Sequence, residues 1–213
     1  GHVVSDKVTI SGSTAGWHGT VSVSIDGPFA AEAETRCGSS VWHGTFTANG
    51  PGTFTTPKAT VSKPGWYVFA ITVPGDSANV GVTSRCDDPA ERFFAQTSPT
   101  LTTEVSSDRV PAGSPVFDRL TVGSLGGTPV TVIVDLYGPF ASQTAIACSG
   151  TPIWSGSVPV SRNGSFQTVS FTPTVPGVYS YQATIASTAL VRGTQGACGE
   201  AGEQNESGTA LVH

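Results

Sequence analysis

Hydrophobic residues in this chain alternate with polar ones over short stretches. Val8 and Ile10 alternate with Lys7 and Thr9. Val21, Val23 and Ile25 alternate with serines, and Tyr67, Phe69, Ile71 and Val73 form another one-sided row. The second half repeats the habit with Val130, Val132, Val134 and Leu136, then Tyr179, Tyr181, Ala183 and Ile185. A period of two is the mark of a strand with one buried face. No stretch carries a 3.6-residue period. Gly27-Pro28 and Gly138-Pro139 read as turns ending two of these strands. Asn49-Gly50 and Asn163-Gly164 read as hairpin turns, since both residues tolerate positive φ. Pro64-Gly65 and Pro176-Gly177 read as turns that launch the tyrosine-rich strands. The pattern predicts an all-β protein.

These features also recur at a fixed offset. Gly27-Pro28-Phe29 returns as Gly138-Pro139-Phe140, Cys37 as Cys148, Cys86 as Cys198, Trp42 as Trp154 and Asp6 as Asp118, each 111 or 112 residues later. A period that long is one small domain rather than a solenoid unit. The expectation is two tandem β-sandwiches, residues 1–97 and 98–213, with about seven strands each. Asp118 is preceded by a strand-like run, Thr100 to Val105, whereas Asp6 has five residues before it. The first copy is therefore expected to lack its opening strand. The join at Ser98-Pro99-Thr100 has no Gly/Ser tether, so an elongated, semi-rigid pair is expected.

Composition narrows the function classes. Charged residues make up 12% of the chain, apolar ones 38%, and the net charge is −5. The three lysines, Lys7, Lys58 and Lys63, all lie in the first copy, and there is no basic stripe to bind nucleic acid. No apolar run reaches the ~20 residues of a membrane span. Gly1-His2 has the look of a tag scar and there is no Met, so an excised fragment is expected, with leader and anchor elsewhere. Four cysteines allow three pairings. The repeat selects Cys37–Cys86 and Cys148–Cys198, with near-equal spacings of 49 and 50. Bridges at repeated positions mark an oxidising compartment.

The second copy reads Asp118-Arg119-Leu120-Thr121, Tyr137-Gly138-Pro139, Cys148, Asn163-Gly164, Pro176-Gly177-Val178-Tyr179 and Cys198-Gly199-Glu200, with Glu203 following. In this it resembles the immunoglobulin-like tandem repeats of actinobacterial cell-surface proteins. The likeness covers the second copy and the first from Asp6 onward. It implies a sandwich fold and a stalk or adhesive role, with neighbouring repeats in the same polypeptide and a cell-wall anchor outside this stretch. One departure is plain. Trp42 and Trp154 follow the first cysteine of each copy by only five and six residues, so the bridge should tie a loop to the segment before the last strand rather than cross the core.

Candidate sites are few. His18 and His43 follow tryptophans but have no histidine counterpart in the second copy, and no Gly-x-Ser-x-Gly elbow occurs, so no catalytic residue is assigned. Asp87, Asp88 and Glu91 follow Cys86, while Glu200 and Glu203 follow Cys198. Only Glu91 and Glu203 keep one position in both, which reads as acidic turns rather than a calcium site. No metal or cofactor is implied. Modules that the resemblance brings in carry covalent cross-links between first and last strands. Here the positions concerned are Lys7 with Glu91 and Arg119 with Glu203, and since arginine cannot form an isopeptide the expectation is a charge pair. Trp17 and Trp66 are the aromatics best suited to contact a ligand. The leading expectation is a non-enzymatic extracellular stalk or adhesin with a host or surface glycan or protein as ligand. The alternative is a carbohydrate- or protein-binding module appended to a secreted enzyme.

Overall fold

The computed structural model describes residues 1–208. The chain divides into two compact units between Gln96 and Thr97. Both are all-β, and the helical pieces among the described residues are single 3-10 turns.

The first unit contains β1 (His2–Val4), β2 (Lys7–Ile10), β3 (His18–Phe29), β4 (Ser40–Asn49), β5 (Gly52–Thr55), β6 (Ala59–Val61), β7 (Gly65–Val73), β8 (Val82–Thr83) and β9 (Arg92–Ala95). One layer runs β4-β3-β7, with β8 and β9 both pairing β7. The other layer consists of the pairs β2-β5 and β1-β6. Alternation explains the packing between them. Val8 and Ile10 face Val21, Val23, Ile25, Tyr67, Phe69 and Ile71 in one buried cluster, while the intervening Lys7 and Thr9 are exposed.

The second unit contains β10 (Thr100–Val105), β11 (Arg109–Pro111), β12 (Asp118–Gly123), β13 (Val130–Phe140), β14 (Trp154–Val160), β15 (Gly164–Gln167), β16 (Gly177–Ile185), β17 (Thr194–Gln195) and β18 (Gln204–Gly208). One layer is β10-β12-β15 and the other is β11-β18-β16-β13-β14, with β17 on β16. Only β11 and β18 run parallel; the other ladders are antiparallel. Leu120 and Val122 meet Val132, Val134, Leu136, Tyr179, Tyr181 and Ile185 in the core. Each layer is hydrophobic on the face it turns to the other, which makes both units sandwich-like.

Two turn assignments need correction. The Asn-Gly pairs do not close hairpins. Asn49-Gly50 carries the chain from β4, which pairs β3, to β5, which pairs β2 in the opposite layer. Asn163-Gly164 makes the same crossing between β14 and β15. The Gly-Pro pairs do not end their strands either. β3 and β13 continue to Phe29 and Phe140, and the register to the tyrosine-bearing strand slips at the Gly-Pro step. Gly27 and Gly138 have φ of +134° and +129°, and a Cβ there would lie 2.7 Å from the carbonyl oxygens of Trp66 and Val178. Glycine is needed because the backbones touch at a bulge.

Among the described residues no strand lies on the far side of β2, where β10 lies against β12 in the second unit. Among the described residues each unit also has nine strands rather than about seven, the surplus being pieces of two or three residues such as β8 and β17.

Candidate functional site

The cysteines bring two loops together at one end of each unit. Cys37 follows the 3-10 turn Glu32–Glu34 and bonds Cys86, which precedes the turn Pro89–Glu91. Cys148 follows the turn Gln143–Ala145 and bonds Cys198, just before Ala201–Glu203. The Cα–Cα distance is 5.6 Å in both. The bridge therefore ties the segment after the Gly-Pro bulge to the approach of the last strand, clear of the core. Polar contacts support the first clamp. The Asp26 Oδ1 accepts from the Gly38 N–H at 3.1 Å and the Ser40 hydroxyl at 2.9 Å. Arg92 reaches Glu32 at 3.4 Å and donates to the Asp87 carbonyl at 2.8 Å. Gln204 donates to the Gly199 carbonyl at 2.6 Å beside the second bridge.

The tryptophans of the repeat sit on the layer edges next to these loops. Trp42 and Trp154 are partly buried against the two cores. Each ring folds over the glycine two residues on, Gly44 and Gly156, and Trp154 meets Tyr181 edge-on at 6.3 Å. Trp17, expected to reach a ligand, is only 3% exposed and belongs to the first core. Its main chain is held in a turn by bonds to Thr14 and Gly50, and that turn drives the ring inward over Gly19. Trp66 is half-buried and stands 5.3 Å from Phe94, which is 38% exposed. The pair lies across neighbouring strands, Trp66 on β7 opposite Phe94 on β9, on the face away from the buried Tyr67.

The Lys7–Glu91 charge pair is not what the spacing suggested. Lys7 is exposed on the outer face of β2, and no ion pair joins it to Glu91. Alternation explains the miss, since the residue beside the inward-facing Val8 must face out. Glu91 instead lies among acids. Burial pushes its carboxyl up to about 7, and the carboxylates of Asp6 and Asp88 push the same way. Its Oε2 is buried without a hydrogen-bond partner. In the second unit Arg119 is exposed, with its guanidinium 5.7 Å from the Phe117 ring centre. The side chain of Glu203 lies outside the described residues, so the Arg119–Glu203 expectation falls there.

One buried group escaped the sequence reading. Asp118 is wholly buried at the start of β12, its side chain on the same inward face as Leu120 and Val122. Burial pushes its carboxyl up to about 7, against the lowering effect of the nearby Glu104 and Arg119 main chain. Neither carboxylate oxygen has a well-formed hydrogen bond. The signal was present in the sequence: an aspartate sits at the phase of the hydrophobic face in Asp118-x-Leu120-x-Val122.

The other acidic and polar candidates have local partners. Asp87 forms a 2.6 Å ion pair with Arg85, and Asp88 caps its turn through the Ala90 N–H at 2.9 Å. His18 and His43 are exposed. Among the described residues no three His, Cys, Asp or Glu side chains converge as metal ligands, and no helix is long and apolar enough to cross a membrane. Asn205, the head of an Asn-Glu-Ser sequence, is buried and donates to the Ser107 carbonyl. No protein-family profile matches this chain and no curated protein does, so its functional reading rests on the geometry above.

Proposed function

We propose that this chain is a non-enzymatic extracellular structural protein, with two immunoglobulin-like sandwiches, each clamped by its own disulfide, forming part of a cell-surface stalk or adhesin. The observation that carries this is the clamp, which joins the same two loops in both units at the same 5.6 Å Cα separation. Disulfides persist in oxidising compartments, which supports a place outside the cell. Neighbouring modules of the same kind and a cell-wall anchor, both outside these residues, belong to the proposal.

Two details support the immunoglobulin-like assignment. In the second unit β10 pairs in one layer and β11 in the other, so the opening segment is shared between sheets. The Tyr179 hydroxyl donates to the Val175 carbonyl at 2.6 Å, and the Tyr67 hydroxyl to the Lys63 carbonyl at 2.8 Å. A tyrosine early in its strand bonding back to the main chain a few residues upstream is the tyrosine corner of such sandwiches.

A clamp of this kind limits how far a module can be drawn out. Pulling the oxidised chain in a force spectrometer should give unfolding extensions shorter than those of the reduced chain by roughly 160–175 Å per unit, the contour of the locked loop. Equal extensions would sink the clamp as a mechanical device. A glycan array reads the competing class: specific binding lost on Trp66→Ala would replace the stalk reading with a carbohydrate-binding module.

A further inference from the structure

We propose that the outer face of β10, β12 and β15 in the second unit binds a neutral saccharide, with Arg119 at the centre of the site. This names a ligand class for the adhesive reading above and rests on it, while its test leaves the disulfide clamp intact, so either can fail alone.

The alternation that buries Val105, Leu120 and Val122 turns six polar side chains outward. They form two rows across the three strands. One row is Glu104, Arg119 and Gln167, and the other is Thr102, Thr121 and Ser165. All six are exposed. Strands lie about 4.8 Å apart and alternate residues about 6.8 Å apart, so the rows make a grid on the scale of a sugar ring. The face is concave rather than flat. It forms a groove of about 930 Å³ with Gly202 on its rim, a size that suits a small ligand. Gly202 belongs to the turn Ala201–Glu203, which stands against the β10 edge: a Cβ on it would lie 3.5 Å from the Thr103 carbonyl oxygen. The bridged Cys198 just upstream and the Gln204 bond to the Gly199 carbonyl hold that turn in place.

The chemistry of the face selects the occupant. Among the described residues no ion pair engages Arg119 or Glu104, although the two stand opposite each other. The contact of the Arg119 guanidinium with the Phe117 ring consumes none of its N–H donors. Glu104 offers only acceptors and Arg119 only donors, while Gln167 and the three hydroxyls offer both. That mixture suits neighbouring sugar hydroxyls, each of which donates and accepts. The Thr121 and Ser165 hydroxyls stand 3.3 Å apart, close enough to share one ligand hydroxyl. An acidic ligand would gain at Arg119 and lose at Glu104, one strand away, on a chain whose net charge is −5. A neutral polyol gains at both. None of the six side chains is apolar, so the face has no anchor for a protein partner, and one cation is no footprint for nucleic acid.

The test follows the amide spectrum of the 15N-labelled full chain with neutral hexasaccharides of glucose, of mannose and of galactose at millimolar concentration. At least one of them should shift the Glu104, Arg119, Thr121 and Gln167 amides together, while those of β13 stay in place. Thr121→Val and Gln167→Ala, both on an exposed face, should each weaken that binding about fivefold and leave thermal unfolding unchanged. Trp66→Ala should leave the binding as it was. Added salt should change the affinity little, because a neutral ligand carries no charge to screen. Absence of these shifts with all three sugars, or binding indifferent to both substitutions, overturns the proposal. Binding of an oligogalacturonate instead, with affinity falling steeply in salt, overturns it in favour of an anion site at Arg119. Binding that Trp66→Ala abolishes and Thr121→Val spares places the site in the first unit and overturns it as well.

Discussion

Asp118 and Thr168 are bonded to each other twice: the Asp118 N–H donates to the Thr168 hydroxyl at 3.0 Å, and the Thr168 N–H donates to the Asp118 carbonyl at 3.0 Å. Asp6 and Thr56 make the same reciprocal contact at 2.8 and 2.9 Å. The pair closes the ladder where β12 meets β15, and β2 meets β5, just past the last β15 and β5 residues. It also sets the phase of the first strand, which sends the Asp118 side chain into the core. Thr168 is itself buried, so Thr168→Val keeps the shape but strands a buried N–H. The expected cost is about 1–3 kcal/mol, read as a lower denaturant midpoint of the second unit. A variant as stable as the parent would show that water replaces the threonine.

The buried carboxyls make stability fall as the solution becomes alkaline. The Asp118 carboxyl titrates near 7 in the folded protein against an ordinary value of 3.8, so between these limits the folded state holds a proton that the unfolded state has released. Its contribution is complete below about pH 4 and is lost as pH rises through about 7. Glu91 acts in the same direction in the first unit. Both units should melt higher at pH 5 than at pH 8. Asp118→Asn should remove the second unit's share and raise its stability at pH 8 by up to ~4 kcal/mol. A parent chain that gains stability from pH 5 to pH 8 would refute this.

The Trp-x-Gly motif is a packing device. A Cβ on Gly156 would lie 2.7 Å from the Trp154 Cζ2, and one on Gly44 the same distance from the Trp42 Cζ2. Gly156→Ala must lift the indole from the sheet and is expected to cost about 1–3 kcal/mol. Tryptophan fluorescence should shift to the red along with the loss of stability. An alanine variant with the parent's spectrum and midpoint would mean that the ring is not held over the strand.

Removing the Tyr179 hydroxyl isolates the corner contact. Tyr179→Phe keeps the buried ring and deletes the bond to the Val175 carbonyl. A loss of about 1 kcal/mol is expected in the second unit, and the same for Tyr67→Phe in the first. Calorimetry of the two variants should assign each loss to its own unit. An effect that appears in the wrong transition would break the assignment.

Deleting one bridge should also act locally. The paired change Cys37→Ala and Cys86→Ala releases a loop with a 49-residue separation, worth about 4 kcal/mol in the loop-entropy estimate. The first unit should lose stability while amide exchange in the β13-β16 core of the second stays unchanged.

What the sequence determined by itself is the set of strands and the face each one buries. A run such as Val132, Val134, Leu136 can satisfy its backbone and its apolar side chains in one way only, as a strand with one covered side. The cysteine spacing likewise matched a bridge within each compact unit. Which strand lies beside which was not legible from alternation, because a period of two names a face and not a neighbour. Asn49-Gly50 therefore looked like a hairpin although it crosses between layers, and Gly27-Pro28 looked like a turn although it is a bulge within β3. Lys7 and Glu91 looked paired from their places in the repeat, yet the pleat turns Lys7 outward and leaves Glu91 among acids. Trp17 looked available until its loop folded inward. The inward Asp118 is the clearest case. It depends on what covers a strand from the side, and that is decided only when distant segments come together and exclude water from an edge.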